Sequence, residues 1–248
     1  MNIAIIGYGK MGKMIEQVAK SRGHTVAAIV DSHSRDATNS EISEEALKDA
    51  DVVLDFTRPD AVVENVKKVA SLKKNMAVGT TGWYDKLEEV KKVVDESGIG
   101  FIYSSNFSVG VNIFFKIVEE ASKLIDKVPE YDAFGYELHH NQKADSPSGT
   151  ARTTAEILAA NIGRKTKINY GFINRRIRPE ELHFASVRAG TIPGTHVVGF
   201  DSEADTIELK HTARSRAGFA LGAVLAAEWL NGKRGFFEMK HFVREFFG

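Results

Sequence analysis

The chain has 248 residues, of which 43% are hydrophobic and 27% are charged, with 33 basic and 33 acidic side chains. This composition is typical of a globular protein with enough apolar residues to form a core, which argues against a disordered chain. The balanced charge gives no electrostatic basis for a nucleic-acid partner, and the lack of cysteine excludes disulfides, thiolate catalysis and cysteine-ligated zinc.

The sequence contains no pattern that directs a chain to or across a membrane. Residues 1–6 lead directly into a buried-strand pattern, without a basic leader or a cleavage site. No apolar run approaches the roughly 18 residues that a membrane helix needs. We therefore expect a cytoplasmic protein without a membrane partner.

Five short strand patterns alternate with helix patterns in the N-terminal part of the chain. The predicted strands are residues 3–6, 26–30, 52–56, 76–78 and 101–103, and their apolar runs suit strands covered on both faces. Apolar residues at helical spacing predict a first helix that ends near Gly23, and Pro59 fits the first turn of the helix after the third strand. Repeated strand–helix–strand units predict an α/β, Rossmann-like doubly wound parallel sheet.

The pattern changes after residue 108. A helical stripe at 113–125, a strand at 131–138 and a helix at 150–162 precede three strands at 183–188, 196–200 and 206–212. Because no helices separate these last strands, we expect a mixed sheet in an α+β domain. A final helix at 216–230 returns to the first domain, so the predicted domains are 1–108 with 217–248, for the dinucleotide, and 109–216, for the substrate.

A G-x-G-x-x-G pattern follows the first predicted strand and opens the first predicted helix; it consists of Gly7, Tyr8, Gly9, Lys10, Met11 and Gly12. In this context Gly7 permits a tight turn, Gly9 lets the backbone approach a pyrophosphate, and Gly12 lets the helix pack closely. N–H groups at the helix start then face the phosphates. The alternative, a turn with incidental glycines, does not account for this placement between strand and helix.

Asp31 follows the second predicted strand and bears on the choice of cofactor. A carboxylate there can accept hydrogen bonds from ribose hydroxyls, which favours NAD, although Asp is also a common turn or cap residue. Arg35 lies close by and could instead meet a 2′-phosphate. The sequence therefore predicts NADH, NADPH or both.

Small and polar residues follow the third, fourth and fifth strands, and at these positions they would converge on one crevice at the carboxyl edge of the sheet. The predicted cofactor-binding residues there are Phe56, Gly79, Thr80, Thr81, Ser104, Ser105, Asn106 and Phe107. Each segment alone is as typical of a simple turn.

Residues 137–151 carry the most informative pattern, running from a strand end through a polar loop into a helix. His139, His140 and Lys143 form a cationic cluster, and a helix start with hydroxyls and N–H groups follows at Ser148, Gly149 and Thr150. This combination suits a bound carboxylate or phosphate. The alternative is a hydrogen-bonded loop with a plain helix cap. We expect no metal, because adjacent histidines point in different directions and no H-E-x-x-H spacing is present.

Residues 137–151, with the order Glu-Leu-His-His-x-x-Lys-x-Asp-x-Pro-Ser-Gly-Thr-Ala, strongly resemble the signature of the dihydrodipicolinate reductase family. The likeness extends over essentially the whole chain, through residues 7–12, 55–59, 79–82, 106–112, 188–196 and 211–216. Departures are mild: Ser104 and Ser105 stand where Ala is frequent, and residues 141–142 replace a more basic pair.

The resemblance implies the reduction of a cyclic, unsaturated dicarboxylate imine to tetrahydrodipicolinate by NADH or NADPH, in lysine biosynthesis. It implies His139 as proton donor, Lys143 as an assisting donor and positive charge, and His140, Lys143, Gly149 and Thr150 as ligands of the substrate carboxylates. It also implies a homotetramer joined through the sheets of the second domain.

Two alternatives and two residue roles stay open from the sequence. A different two-domain dehydrogenase, such as an aspartate dehydrogenase, would not need the run from His139 to Thr150, and neither would a module that only senses NAD(H). Glu137 either holds a histidine tautomer or ends a strand, and Asp145 either orients Lys143 or caps the following helix.

Overall fold

The computed structural model describes the backbone of residues 1–247 and side chains as far as Phe246. The chain forms two compact units: the first comprises Met1–Val109 and Arg216–Gly248, and the second comprises Gly110–Ser215. In the described residues no helix has the length and apolar character needed to cross a membrane.

Strands and helices alternate through the first hundred residues, and strands predominate between residues 165 and 215. In chain order the elements are β1 (Asn2–Ile6), α1 (Lys10–Ser21), β2 (Thr25–Val30), α2 (Glu44–Leu47), β3 (Val52–Asp55), α3 (Val62–Ser71), β4 (Asn75–Val78), a 3-10 turn (Tyr84–Lys86), α4 (Leu87–Ser97), β5 (Gly100–Tyr103), α5 (Val109–Ile125), β6 (Asp132–His139), α6 (Gly149–Asn161), β7 (Lys167–Asn169), β8 (Glu181–Arg188), β9 (Thr195–Asp201), β10 (Thr206–Thr212), α7 (Ala217–Leu230), β11 (Gly235–Glu238) and α8 (Met239–Phe247).

The first unit is built on a six-stranded sheet of order β11-β5-β4-β3-β1-β2, in which every pair is parallel. Alternate residues of β1 enter two different cores, since Ala4 and Ile6 pack with α3 and α4 whereas Ile3 and Ile5 pack with α1 and α7. Burial on both faces explains the continuous apolar runs of the strands. The predicted doubly wound sheet is confirmed.

Two details of the first unit differ from the prediction. The sixth strand, β11, and the helices α2 and α8 were not predicted; Gly235–Glu238 is half-buried and lacks the buried apolar run of the other strands. Pro59 was placed wrongly in the first turn of a helix. It lies in a separate turn closed by a hydrogen bond from Ala61 N–H to Arg58 O of 3.1 Å, and α3 begins at Val62.

The second unit is built on a mixed sheet of order β10-β9-β6-β8-β7. Strand β6 is parallel to β8 and antiparallel to β9, and β9 and β10 form an antiparallel hairpin. Helices α5 and α6 cover one face of this sheet, where Phe114, Leu158 and Phe184 lie in the core. The predicted mixed sheet is confirmed, and the three-residue strand β7 is the addition that the sequence did not reveal.

Candidate functional site

The glycine loop between β1 and α1 leaves an accessible backbone at the start of the helix. A Cβ atom at Gly7, whose φ is +87°, would lie 2.5 Å from Phe56 O, and one at Gly12 would lie 2.2 Å from Gly7 O. At Gly9, by contrast, a Cβ would find no described atom within 4 Å. Gly7 therefore permits the tight turn, and Gly12 permits the close packing of α1 against the loop. Gly9 faces open space, beside the first N–H groups of α1, which have no acceptor within the helix.

Asp31 holds the turn beside this loop. Its Oδ2 accepts a hydrogen bond from Tyr8 N–H at 2.7 Å, and its Oδ1 accepts from the N–H groups of His33 at 2.8 Å and Ser34 at 3.0 Å. Partial burial alone would raise the pKa of Asp31, but these bonds together hold that pKa below its usual value, so the carboxylate is ionised. Asp31 thus has the turn role that the sequence left open, and it also lines a cavity.

Two cavities lie along this edge of the first unit. The larger, of about 440 Å³, is lined by Gly7, Gly9, Asp31, Phe56 and neighbouring residues of the loops after β2 and β3. The smaller, of about 290 Å³, is lined by Met11, Phe56, Thr57, Pro59, Gly79, Thr80 and Thr81. Phe56 and Thr57 border both, so the two cavities are neighbours at the carboxyl ends of the strands, where α/β sheets bind ligands.

Seven of the predicted cofactor residues line neither of these two cavities. They are Tyr8, Lys10, Gly12, Ser104, Ser105, Asn106 and Phe107. Tyr8 is buried, and its hydroxyl donates to Glu16. Phe107 is also buried and packs against Phe56 with a ring-centroid distance of 6.2 Å. Tyr8 and Phe107 are therefore packing residues next to the cavities, and they do not line them.

Asp55, at the end of β3, is a structural link to which the sequence assigned no role. It is fully buried and accepts hydrogen bonds from the hydroxyl of Thr57 at 2.7 Å, from Asn65 Nδ2 at 2.8 Å and from the hydroxyl of Thr80 at 3.2 Å. Burial raises the pKa of Asp55. Asp55 thus joins the loops after β3 and β4 that border the smaller cavity. The sequence feature that could have indicated this role is an acidic residue at the end of an otherwise apolar strand.

In the second unit, β6 places Glu137 and His139 on the same buried face, because side chains alternate along a strand. The strand register pairs Glu137 with His196 of β9. Glu137 Oε2 lies 3.2 Å from His139 Nδ1 and 3.3 Å from His196 Nε2. The sequence did not find His196, because its position depends on the pairing of two strands distant in the chain.

Glu137 also anchors the start of α6 and the end of β8. Its Oε1 accepts hydrogen bonds from Ser148 N–H at 2.9 Å, Ser186 Oγ at 2.8 Å and Arg188 Nη2 at 2.8 Å, and the Ser148 hydroxyl donates to Oε2. Burial alone would raise the pKa of Glu137, but hydrogen bonds from His196, Ser148 and Arg188 hold it well below its usual range. Glu137 is therefore a buried, ionised carboxylate.

Ser148 is a helix cap, and its side chain is not directed into open space. Its Oγ accepts a hydrogen bond from Ala151 N–H at 3.1 Å and is buried against Glu137. Gly149, the first residue of α6, is different, since a Cβ there would meet no described atom within 4 Å. The backbone at the start of α6 is therefore approachable by an anion.

His139 is predominantly neutral at neutral pH. Burial is the largest of the effects that lower its pKa to about 4; the carboxylate of Glu137 opposes this, and the charges of His196, Lys143 and Arg188 add to it. A negatively charged ligand beside His139 would raise this pKa again.

The loop after β6 carries the other predicted side chains. His140 O accepts a hydrogen bond from Lys143 N–H at 3.2 Å. Lys143 Nζ lies 2.6 Å from Asp145 Oδ1, and this pairing lowers the pKa of Asp145. Of the two roles left open for Asp145, the structure shows the contact with Lys143, whereas the cap of α6 is Ser148.

Glu137, His139 and His196 form a group whose ligand atoms all lie within 4.8 Å of one another, a spacing that could hold a metal ion. Both oxygens of Glu137, however, already accept hydrogen bonds from Ser148, Ser186 and Arg188. These donors account for the buried carboxylate without an ion. The absence of a metal remains a prediction.

Comparison with known proteins places both units in one family. The family model for the dihydrodipicolinate reductase N-terminus matches residues 1–107, and that for the C-terminus matches residues 110–243. A 4-hydroxy-tetrahydrodipicolinate reductase of Christiangramia forsetii is 38% identical over 247 residues, which is 100% of this chain and 99% of the relative. The same enzyme of Methanoregula boonei is 39% identical over 91% of this chain and 90% of the relative.

Solved structures agree on the fold. A dipicolinate-bound dihydrodipicolinate reductase from Paenisporosarcina sp. TG-14 has a TM-score of 0.74 and 22% identity, over 96% of this chain and 97% of that chain. At this identity the likeness shows the fold alone. The family models and the curated relatives confirm the resemblance predicted from residues 137–151. The chain belongs to the dihydrodipicolinate reductase family.

Proposed function

We propose that this chain reduces 4-hydroxy-tetrahydrodipicolinate to tetrahydrodipicolinate with hydride from NADH or NADPH, in the biosynthesis of diaminopimelate and lysine. The observation that carries this proposal is the grouping of His139 with the approachable start of α6, joined through the buried carboxylate of Glu137. The activity is also that of both curated relatives, which match nearly the whole chain.

The first unit, Met1–Val109 with Arg216–Gly248, is a Rossmann-like nucleotide-binding domain. Its pyrophosphate site is the start of α1 at Gly9, where no Cβ blocks the approach. Its adenosine site is the larger cavity with the Asp31 carboxylate, and the smaller cavity beside Thr80 and Thr81 accommodates the nicotinamide end. When bound there, the nicotinamide supplies the hydride.

The second unit, Gly110–Ser215, binds the substrate. The dicarboxylate is held by Lys143, by His140 and by the backbone at Gly149 and Thr150, where positive charge and a helix start favour anions. Loss of the 4-hydroxyl group as water first places a ring C=C bond in conjugation with the imine; hydride addition to that bond then leaves an electron-rich enamine, which His139 protonates. The negative charge of the bound substrate raises the pKa of His139, so that the donor takes up its proton when substrate is present.

The uncovered face of the second-unit sheet supports a homotetramer. Phe134, Tyr136 and Leu138 alternate with the buried residues of β6, so they lie on the face opposite α5 and α6. Val187 of β8 lies on the same face and is 46% exposed. Light scattering should give a tetramer mass, and Val187→Asp should shift it toward smaller species. A monomer mass for the unaltered chain would overturn the assembly.

A coupled assay tests the function directly. The preceding synthase generates the substrate from pyruvate and aspartate semialdehyde, and loss of nicotinamide absorbance is followed with NADH and then with NADPH. Oxidation that requires every component supports the proposal and gives the cofactor preference. A folded protein that binds NADH but gives no such oxidation would contradict it.

A further inference from the structure

One buried carboxylate in the second unit, Glu137, transfers no proton and binds no substrate in the proposed chemistry. We propose that Glu137 is the positioning residue of the reductase: its carboxylate lies beside His139 Nδ1, supplies the counter-charge that the protonated ring needs, and anchors the helix start that receives the substrate. The inference rests on the proposed function and adds to it a residue that does not itself touch the substrate.

The contacts of His139 define which ring nitrogen can act as the donor. Nδ1 lies 3.2 Å from Glu137 Oε2, and the contact is too poorly aligned for a hydrogen bond, since this buried atom has no partner among the described residues. At the other nitrogen, a Cβ atom on residue 194 would lie 3.0 Å from Nε2, but that residue is Gly194. Because the carboxylate faces Nδ1, Nε2 is the atom left to deliver the proton, and the glycine at 194 keeps a Cβ from crowding it.

The same carboxylate fixes the anion-binding end of α6. Ser148 N–H and the Ser148 hydroxyl both donate to Glu137, and the hydroxyl oxygen in turn accepts from Ala151 N–H in the first turn. Arg188 and Ser186 of β8 hold Oε1 from the other side, each at 2.8 Å. The carboxylate that lies beside the proton donor is therefore the same group that anchors the helix start.

Charge gives Glu137 its second role. The groups that face His139 are His196 on β9, Arg188 on β8, Lys143 on the loop after β6 and Glu137 itself. Of these four, Glu137 is the anion, while Arg188 and Lys143 carry positive charge. An imidazolium buried among cations without a counter-charge is strongly disfavoured. The carboxylate therefore makes the protonated donor attainable when substrate binds.

The test is Glu137→Gln, which keeps the shape of the side chain and removes its charge. Glu181→Gln is the matched control, because Glu181 is also a fully buried carboxylate of the same sheet, held by Arg175 at 2.8 and 2.7 Å. Both variants lose a buried charge pair, and both should unfold at lower temperature. Only Glu137→Gln should lower kcat, by roughly 100-fold, the size of a general-acid contribution, with little change in the Kd for NADH.

Histidine NMR titration gives a readout that does not depend on the substrate. Removing the anion should lower the pKa of His139 in Glu137→Gln and leave it unchanged in Glu181→Gln, and Glu137→Asp should restore part of the shift. An unchanged His139 pKa, or equal losses of kcat in the two Gln variants, would overturn the positioning role. An inactive wild-type enzyme whose His139 pKa still responds to Glu137 would instead contradict the proposed function.

Discussion

The carboxylate of Asp31 accepts a hydrogen bond of 2.7 Å from the backbone N–H of Tyr8, which fixes the end of β2 to the glycine loop. The residue proposed to meet the ribose therefore also shapes the loop proposed to meet the pyrophosphate. We therefore expect a substitution at Asp31 to act on both parts of the proposed cofactor site.

Asp31→Ala should weaken NADH binding by roughly 10-fold or more, as expected for lost charge-assisted hydrogen bonds, and should weaken NADPH binding less. NADPH is less affected because its 2′-phosphate is repelled by the same carboxylate. Fluorescence titration with each nucleotide measures the two Kd values. Asp36→Ala, which removes an exposed carboxylate paired with Lys13 at 2.8 Å, is the control and should change neither. Equal losses for both nucleotides in Asp31→Ala would leave Asp31 with the turn role alone.

Gly9→Ala and Gly12→Ala should separate binding from folding. A Cβ at Gly9 enters open space, so the variant should keep its unfolding temperature while NADH binding falls by roughly 10-fold or more. A Cβ at Gly12 would lie 2.2 Å from Gly7 O, so this variant should unfold at a clearly lower temperature. Thermal unfolding and NADH titration of both variants check the pair. Unchanged NADH affinity in Gly9→Ala would contradict the proposed binding of the pyrophosphate at the start of α1.

Lys143→Ala should raise KM for the dicarboxylate and lower kcat, with a combined loss in kcat/KM of roughly 100-fold, because a charge-assisted contact and an assisting donor are both lost. Steady-state kinetics in the coupled assay measures the effect. Lys123→Ala is the matched control, since Lys123 is likewise paired with an acidic side chain, Glu119 at 2.7 Å, on the surface of α5. A similar loss in both variants would mean that Lys143 acts only through general surface charge.

The pH dependence of stability follows from the depressed pKa of His139, about 4 in the folded chain against 6.5 for an ordinary histidine. Below an ordinary histidine pKa the unfolded chain binds a proton that the folded chain does not, so the free energy of unfolding falls as pH decreases from about 6.5 to about 4. His139→Gln should flatten this slope, and above this range the two proteins should show parallel profiles. Denaturant titrations across this pH range test it; identical slopes would contradict a neutral, buried His139.

The parts of the fold that the sequence predicted are those with strong apolar patterns. Strands such as β1 and β3 are continuous apolar runs because helices cover both faces of their sheet. Strand β11 was missed because its four half-buried residues carry no such run, and only pairing with β5 defines it. The local sequence pattern therefore predicts strands whose side chains are fully buried. It misses strands that are recognisable only from their pairing with a neighbouring strand.

The site shows the same division. The glycine loop, His139 and Lys143 were predicted because their chemistry is contained in short segments. His196 was not, because its contact with Glu137 depends on the register between β6 and β9. The sequence likewise did not decide between the two roles of Asp145, and only the folded structure shows that it contacts Lys143 instead of capping α6.

The sharpest test of His139 as proton donor compares kcat and NADH affinity in His139→Gln with those of the unaltered enzyme. We expect a nearly unchanged Kd for NADH, because the first unit is untouched, and a kcat lowered by roughly 100-fold or more through loss of the general acid. A variant with normal kcat would contradict the role of His139 as proton donor.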